Sequence, residues 1–207
     1  METQKLYKTA LNIAIFVMVY NVVESIIAVY FGYADESLTL FGFGFDSAVE
    51  VASNLGVIFM IKRIQQNPNS DRAPYEKTAL KITGYGFYAL SIILLVGILL
   101  NLSQNHKPIN TFWGVIIASI SIAVMLFVVN KQMKIGKKLN SKPIIADAKC
   151  TLVCVYMSVV LLLSSALYYF FGFPYADIIG AVGLIYFSIK EGKECFANAQ
   201  NDTHCEC

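Results

Sequence analysis

The stretch Ser37-Leu-Thr-Leu-Phe-Gly-Phe-Gly-Phe-Asp46-Ser-Ala-Val-Glu50-Val-Ala-Ser-Asn54 places two carboxylates inside an apolar run. Asp46 and Glu50 stand at i and i+4. On an α-helix they therefore share a face, and Asn54 continues it one turn further. The run reaches from about residue 38 to residue 62, long enough to cross the roughly 30 Å of a bilayer core. A charged side chain at that depth carries a penalty of about 2.5–3.5 kcal/mol on insertion scales and marks a functional position. Two carboxylates this close resist joint ionisation unless a cation or a shared proton lies between them. The alternative is that Ser, Asn or Lys side chains of neighbouring helices satisfy both acids.

The rest of the chain has the same character. Of its 207 residues, 57% are hydrophobic and 14% charged, and the mean hydropathy is +0.59. Soluble domains carry about 25% charge, so the composition predicts an integral membrane protein. Apolar segments occur at about 8–32, 38–62, 78–102, 111–131, 143–171 and 174–191. The connections at 33–37, 62–77, 103–110, 132–142 and 172–173 are too short to hold another domain. The expected fold is all-α, with six transmembrane helices forming one domain over residues 1–191 and a short Cys- and His-containing tail over 192–207. The first run, Leu11 to Phe31, is too long for a signal-peptide core and lacks a small-residue cleavage site, so it reads as a retained helix.

Orientation follows from the basic residues. Fourteen of the 16 Lys and Arg fall on one side of such a bundle, leaving Lys107 on the other side and Lys149 within the fifth segment. Both termini are therefore expected in the cytoplasm. A net charge of +2 gives no reason to expect a nucleic-acid partner. Pro143 and Pro174 are placed to open the fifth and sixth helices. Gly42 with Gly44, Gly84 with Gly86, and Gly180 with Gly183 are small positions that let membrane helices approach.

A second pair, Cys150 and Cys154, also stands at i and i+4, on a face shared with Asp147. Side chains so spaced on a regular helix lie too far apart for a disulfide with each other. Five cysteines without an extracellular pattern predict reduced thiols on the cytoplasmic side. One such Cys alone reads as a small buried hydrophobe. As a pair, the two thiols join the two carboxylates in offering four donors to a soft or borderline divalent metal.

Other polar groups leave alternatives open. Glu24, midway along the first segment, is either a proton relay or a partner for Lys149. Asp177, near the start of the sixth, is either structural or an entrance group. Lys149 points to a different helix face from Cys150, toward a salt bridge or the aqueous interface. The tail, with Cys195 and then His204-Cys205-Glu206-Cys207, is either a soft-metal capture segment or an inert end. With no HExxH, GxSxG or phosphate-cradling loop, neither an enzyme nor a bound cofactor is predicted.

Spacing alone does not bring the second segment to the fifth; a resemblance supplies that step. Ser37 to Glu50 resembles the second helix of the cation diffusion facilitator family, whose pattern is S-L-A-L-x-A-D-A-x-[HD]-S-x-x-D. Ala146-Asp147-Ala148-Lys149-Cys150-Thr151-Leu-Val-Cys154 is similar to the family's fifth-helix A-D-A-x-H-x-x-x-D, and Tyr175-Ala-Asp177-Ile-Ile-Gly-Ala181 to the start of its sixth. The resemblance implies one tetrahedral metal site from Asp46, Glu50, Cys150 and Cys154. Cysteine stands at both fifth-helix positions where His or Asp is usual, so the site is either retuned toward softer metals or weakened. The family's usual cytoplasmic domain is not expected in the few residues after Glu191.

The functional expectation is a secondary transporter exporting Zn- or Cd-like ions, with Hg and Cu also suited, in exchange for protons. Divalent metal ions, protons, the lipid bilayer and a second copy in a homodimer are the expected partners, and the inner (plasma) membrane of a prokaryote the expected place. A metal-binding membrane sensor or regulatory subunit is one rival. A proton-coupled organic-cation exporter dependent on Glu24 is the other.

Overall fold

A computed structural model describes residues 2–67, 74–104, 108–173 and 175–200. They form six α-helices: α1 Glu2–Ala34, α2 Leu38–Gln66, α3 Pro74–Gln104, α4 Phe112–Leu139, α5 Lys142–Phe171 and α6 Ala176–Gln200. The all-α fold expected from the sequence is the fold observed, with no strand among the described residues. Helices α1 to α5 are long and apolar enough to cross a membrane. In α6 the apolar run gives way at Lys190-Glu191-Gly192-Lys193-Glu194. The protein is an integral membrane protein.

Several helices outrun their apolar segments. α4 continues to Leu139 rather than about 131, and α6 continues to Gln200 rather than 191. Hydropathy falls where Lys and Glu begin, but Lys, Glu, Ala and Gln are strong helix formers, so the backbone ladder persists past the hydrocarbon edge. Residues 192–200, expected as part of a tail, are helical and carry Cys195 on α6. Pro174 lies outside the described residues.

Short connections make the helices alternate in direction. Ser37 caps α2, its hydroxyl accepting from Leu40 N at 3.3 Å. α4 and α5 end at Asn140 (φ 48°) and Gly172 (φ 61°), both in the left-handed conformation that stops a helix. The closest packing is α1 on α2, α4 on α5 and α3 on α6. The first two pairs join through α1–α4 and α2–α5, while the α3–α6 pair leans on α2 and α5.

Gly44 shows how tightly α1 and α2 approach: a Cβ there would lie 2.6 Å from the backbone N of Val29. Between membrane helices such backbone contact supplies the attraction that a hydrophobic effect supplies in water. Gly44→Val should therefore lower stability by about 1–3 kcal/mol, the usual effect of overpacking. The thermal unfolding midpoint in detergent checks this, and an unchanged midpoint would mean that the α1–α2 contact contributes nothing.

The buried apolar side chains form layers. Leu40, Phe43, Leu94, Met157, Leu161 and Leu184 fill one half of the bundle. Tyr7, Ala14, Ile58, Ile61, Ile135 and Ile144 fill the Lys- and Arg-rich half. Between them, along α1, α2 and α5, lie Asn21, Glu24, Asp46, Glu50, Cys150 and Cys154. The outward faces carry exposed large hydrophobics such as Phe16, Ile26, Leu99 and Phe127, a surface suited to lipid.

Candidate cation site

Glu50, midway along α2, is the meeting point of three helices. Its Oε2 accepts from Asn21 Nδ2 of α1 at 2.8 Å, and its Oε1 accepts from the Cys154 thiol of α5. This contact between α2 and α5 is the juxtaposition that spacing alone left open. Asp46, one turn away on the same face of α2, is 2% exposed, and its Oδ1 has no hydrogen-bond partner. Burying a carboxylate oxygen without a partner is costly, so the position favours a cation or a proton.

Cys154 is a free thiol, and no bond joins it to Cys150. Cys150 corrects the expectation of reduced thiols throughout, because it is disulfide-bonded. Helical spacing forbids a bond between these two neighbours and says nothing about sulfurs elsewhere in the chain. In this state Cys150 does not present a thiolate.

Glu50, Cys150 and Cys154 line a cavity of about 70 Å³. That is room for an ion together with a few waters, since about 10–15 Å³ of such space holds one. Ser53, Asn54, Asp147, Glu191, Glu194 and Asn198 also line the cavity, which runs toward the Lys- and Arg-rich end. Among the described residues, no three His, Cys, Asp or Glu side chains close on a common point. The donors are gathered but not clamped.

The remaining expected residues separate clearly. Asn54 lines the cavity, continuing the polar stripe of α2. Asp147 also lines it, and its Oδ2 accepts from Gln132 Nε2 of α4 at 2.7 Å. The oxygens of Glu24 accept from Tyr20 at 2.9 Å and from Ser47 at 3.0 Å. The alternative pairing of Glu24 with Lys149 does not form; Lys149 is exposed, on the outer face of α5. Asp177 sits at the opposite end of the bundle, where it accepts from Ser37 Oγ, Leu38 N and Thr39 N at 2.8, 2.7 and 3.1 Å. It caps α2 from α6. His204, Cys205 and Cys207 lie outside the described residues.

Asn21 and Glu191 are among the residues that escaped the sequence reading. Asn21 is fully buried against Glu50. Its signal was the polar pair Asn21 and Glu24 at i, i+3 on the buried stripe of α1. Glu191 is only 7% exposed, yet its place beside Lys190 made it look like the end of a span.

Residues 13–199 match the family model described as the cation efflux transmembrane domain. The chain belongs to the cation efflux family. Members of this family are transporters, and the match takes in the polar layer together with nearly all of α6. No curated protein matches this cation efflux domain closely enough to add to that assignment.

Proposed function

We propose that this cation efflux domain exports borderline-to-soft divalent metals, Zn and Cd foremost, in exchange for protons. The observation that carries the reading is the contact between Glu50 and the Cys154 thiol at the inner end of a cavity running toward the basic end. Carboxylates alone suit hard cations, and a thiol in the same set shifts preference toward Zn²⁺ and Cd²⁺. The proposed ligands are Asp46, Glu50 and Cys154, joined by Cys150 when its disulfide is reduced. The metal is the substrate. Thiols and carboxylates must shed protons to bind it, so metal and protons compete for one set of atoms, the requirement for antiport.

Alternating access would be given by relative movement of the four-helix set and the α3–α6 pair around the midplane site. Cytoplasmic termini, a homodimer through the membrane helices and the inner membrane of a prokaryote belong to the same reading. The Glu24-dependent organic-cation exporter is less favoured, because both Glu24 oxygens are engaged by Tyr20 and Ser47.

Proteoliposomes loaded with a pH indicator, with competitive uptake of Zn, Cd, Cu, Hg, Mn and Fe, test the proposal. Wild type should move Zn and Cd with counterflow of protons, and Asp46→Ala should not. Cys154→Ser should reduce Cd uptake about tenfold or more while sparing Mn, because it removes the soft donor. A sensor or regulatory subunit would bind metal with no flux at all, and that outcome overturns transport.

A further inference from the structure

Helix α6 brings a second set of donors into the same cavity. Glu191, Glu194 and Cys195 stand at i, i+3 and i+4, on one face, and all three line it. Glu191 is 7% exposed and its Oε1 has no hydrogen-bond partner. Glu194 Oε2 is likewise buried and unpartnered. Its other oxygen lies 3.7 Å from Lys190 Nζ, a loose pair on a half-exposed lysine that a divalent cation readily displaces. Asn198, one turn further out, adds an amide to the lining.

These groups lie between the Asp46–Glu50 level and the basic end, with Glu191 within electrostatic reach of Asp46, Glu50 and Cys154. Anionic groups with bare oxygens on one helix face repel one another when charged, and a cation between them removes that repulsion. Their donor class, two carboxylates and a thiol, matches the deeper set. An ion passing between the two sets would keep its ligand chemistry, and two weak sites in series let it both arrive and leave.

We propose that Glu191, Glu194 and Cys195 form a loading site that takes the divalent metal at the basic-end mouth of the cavity and passes it inward to Asp46, Glu50 and Cys154. The proposal rests on the transport reading of the deeper set. Because no three donors now converge among the described residues, the site closes on its ion by rotation of the two long glutamate side chains.

Equilibrium dialysis with Cd²⁺ tests this on the full chain in nanodiscs, under reductant, in a Cys205→Ser/Cys207→Ser background that removes the tail thiols. The parent should bind two equivalents. Asp46→Asn/Glu50→Gln should keep one, with a thiolate-to-Cd ultraviolet band that Cys195→Ser abolishes. Glu191→Gln/Glu194→Gln should also keep one, and its half-saturation for Cd flux should rise about tenfold. The Asn and Gln substitutions preserve volume, and a thermal midpoint equal to the parent's verifies folding in each. One equivalent in the parent, lost in Asp46→Asn/Glu50→Gln and untouched in Glu191→Gln/Glu194→Gln, overturns the loading site and leaves the transport site standing. One equivalent with the reverse dependence supports the α6 site and overturns the deeper one. No binding by the parent overturns both.

Discussion

Glu50→Ala is expected to cut metal flux by about 100-fold or more while the chain stays folded, since even outer-shell partners of a metal ligand are worth 10–100-fold. Glu50 is the side chain that α1, α2 and α5 share, through Asn21 and Cys154. Alanine removes its charge and leaves the Asn21 amide without its acceptor, while the Cys154 thiol keeps the Cys150 carbonyl at 3.8 Å. The unpaired amide costs about 1–3 kcal/mol. Removing one of two neighbouring buried carboxylates offsets part of that by relieving their mutual repulsion. The unfolding midpoint in detergent should consequently move little, while flux in proteoliposomes collapses. Glu50→Gln separates charge from shape: it keeps an oxygen for Asn21 but cannot bind a cation as a carboxylate does, and it should be as inactive as alanine. Wild-type flux in Glu50→Gln would sink the cation-site reading. Asn21→Ala should show a smaller loss, of about tenfold, as expected for a residue that positions a ligand.

Most of the bundle was legible because a membrane makes sequence periodicity blunt and length decisive. Apolar runs and basic loops are set by hydrocarbon thickness and charge, and both are written in composition. Where a helix goes on after its apolar run ends, that logic fails: residues 192–200 read as tail by hydropathy but as helix by propensity. Phe196 stacks on Tyr88 and meets Tyr85 edge-on, which ties this polar extension to α3. The carboxylates of α2 announced themselves by their cost at membrane depth. Asn21 did not, because a single amide in a helix carries no charge and its importance lies wholly in which side chain it meets. The same holds for Glu24, whose partners are Tyr20 on its own helix and Ser47 across the α1–α2 contact rather than a lysine. Long-range pairing is the part of a site that one-dimensional spacing does not hold, and the fifth-helix cysteines needed a family pattern to be set against Glu50 at all.

Asp177→Ala should be among the most destabilising single substitutions in the chain, lowering stability by about 3–5 kcal/mol through the combined loss of three hydrogen bonds to a carboxylate and of a helix cap. The carboxylate is 1% exposed and holds the α2 N-terminus by three donors, Ser37 Oγ, Leu38 N and Thr39 N. Hydrogen bonds to a charged group contribute about 1.5–3 kcal/mol each, and a negative charge at a helix N-terminus adds roughly 0.3–1 kcal/mol. These contributions overlap, so the total falls below their sum. Around them Thr39 Oγ1 donates to the Asp177 carbonyl at 2.6 Å and Ser164 Oγ to the Ala176 carbonyl at 2.9 Å, which links α2, α5 and α6 into one knot. Asp177→Asn keeps an acceptor but no charge and should lose about half as much. The decisive measurement pairs the thermal midpoint with flux per folded molecule. A cap gives a large drop in midpoint with near-normal flux in whatever fraction stays folded. Wild-type stability with lost flux would instead make Asp177 part of the ion path. The cap is the stronger reading, because each Asp177 oxygen already accepts from the α2 N-terminus, whereas Asp46 Oδ1, one turn from Glu50, has no partner.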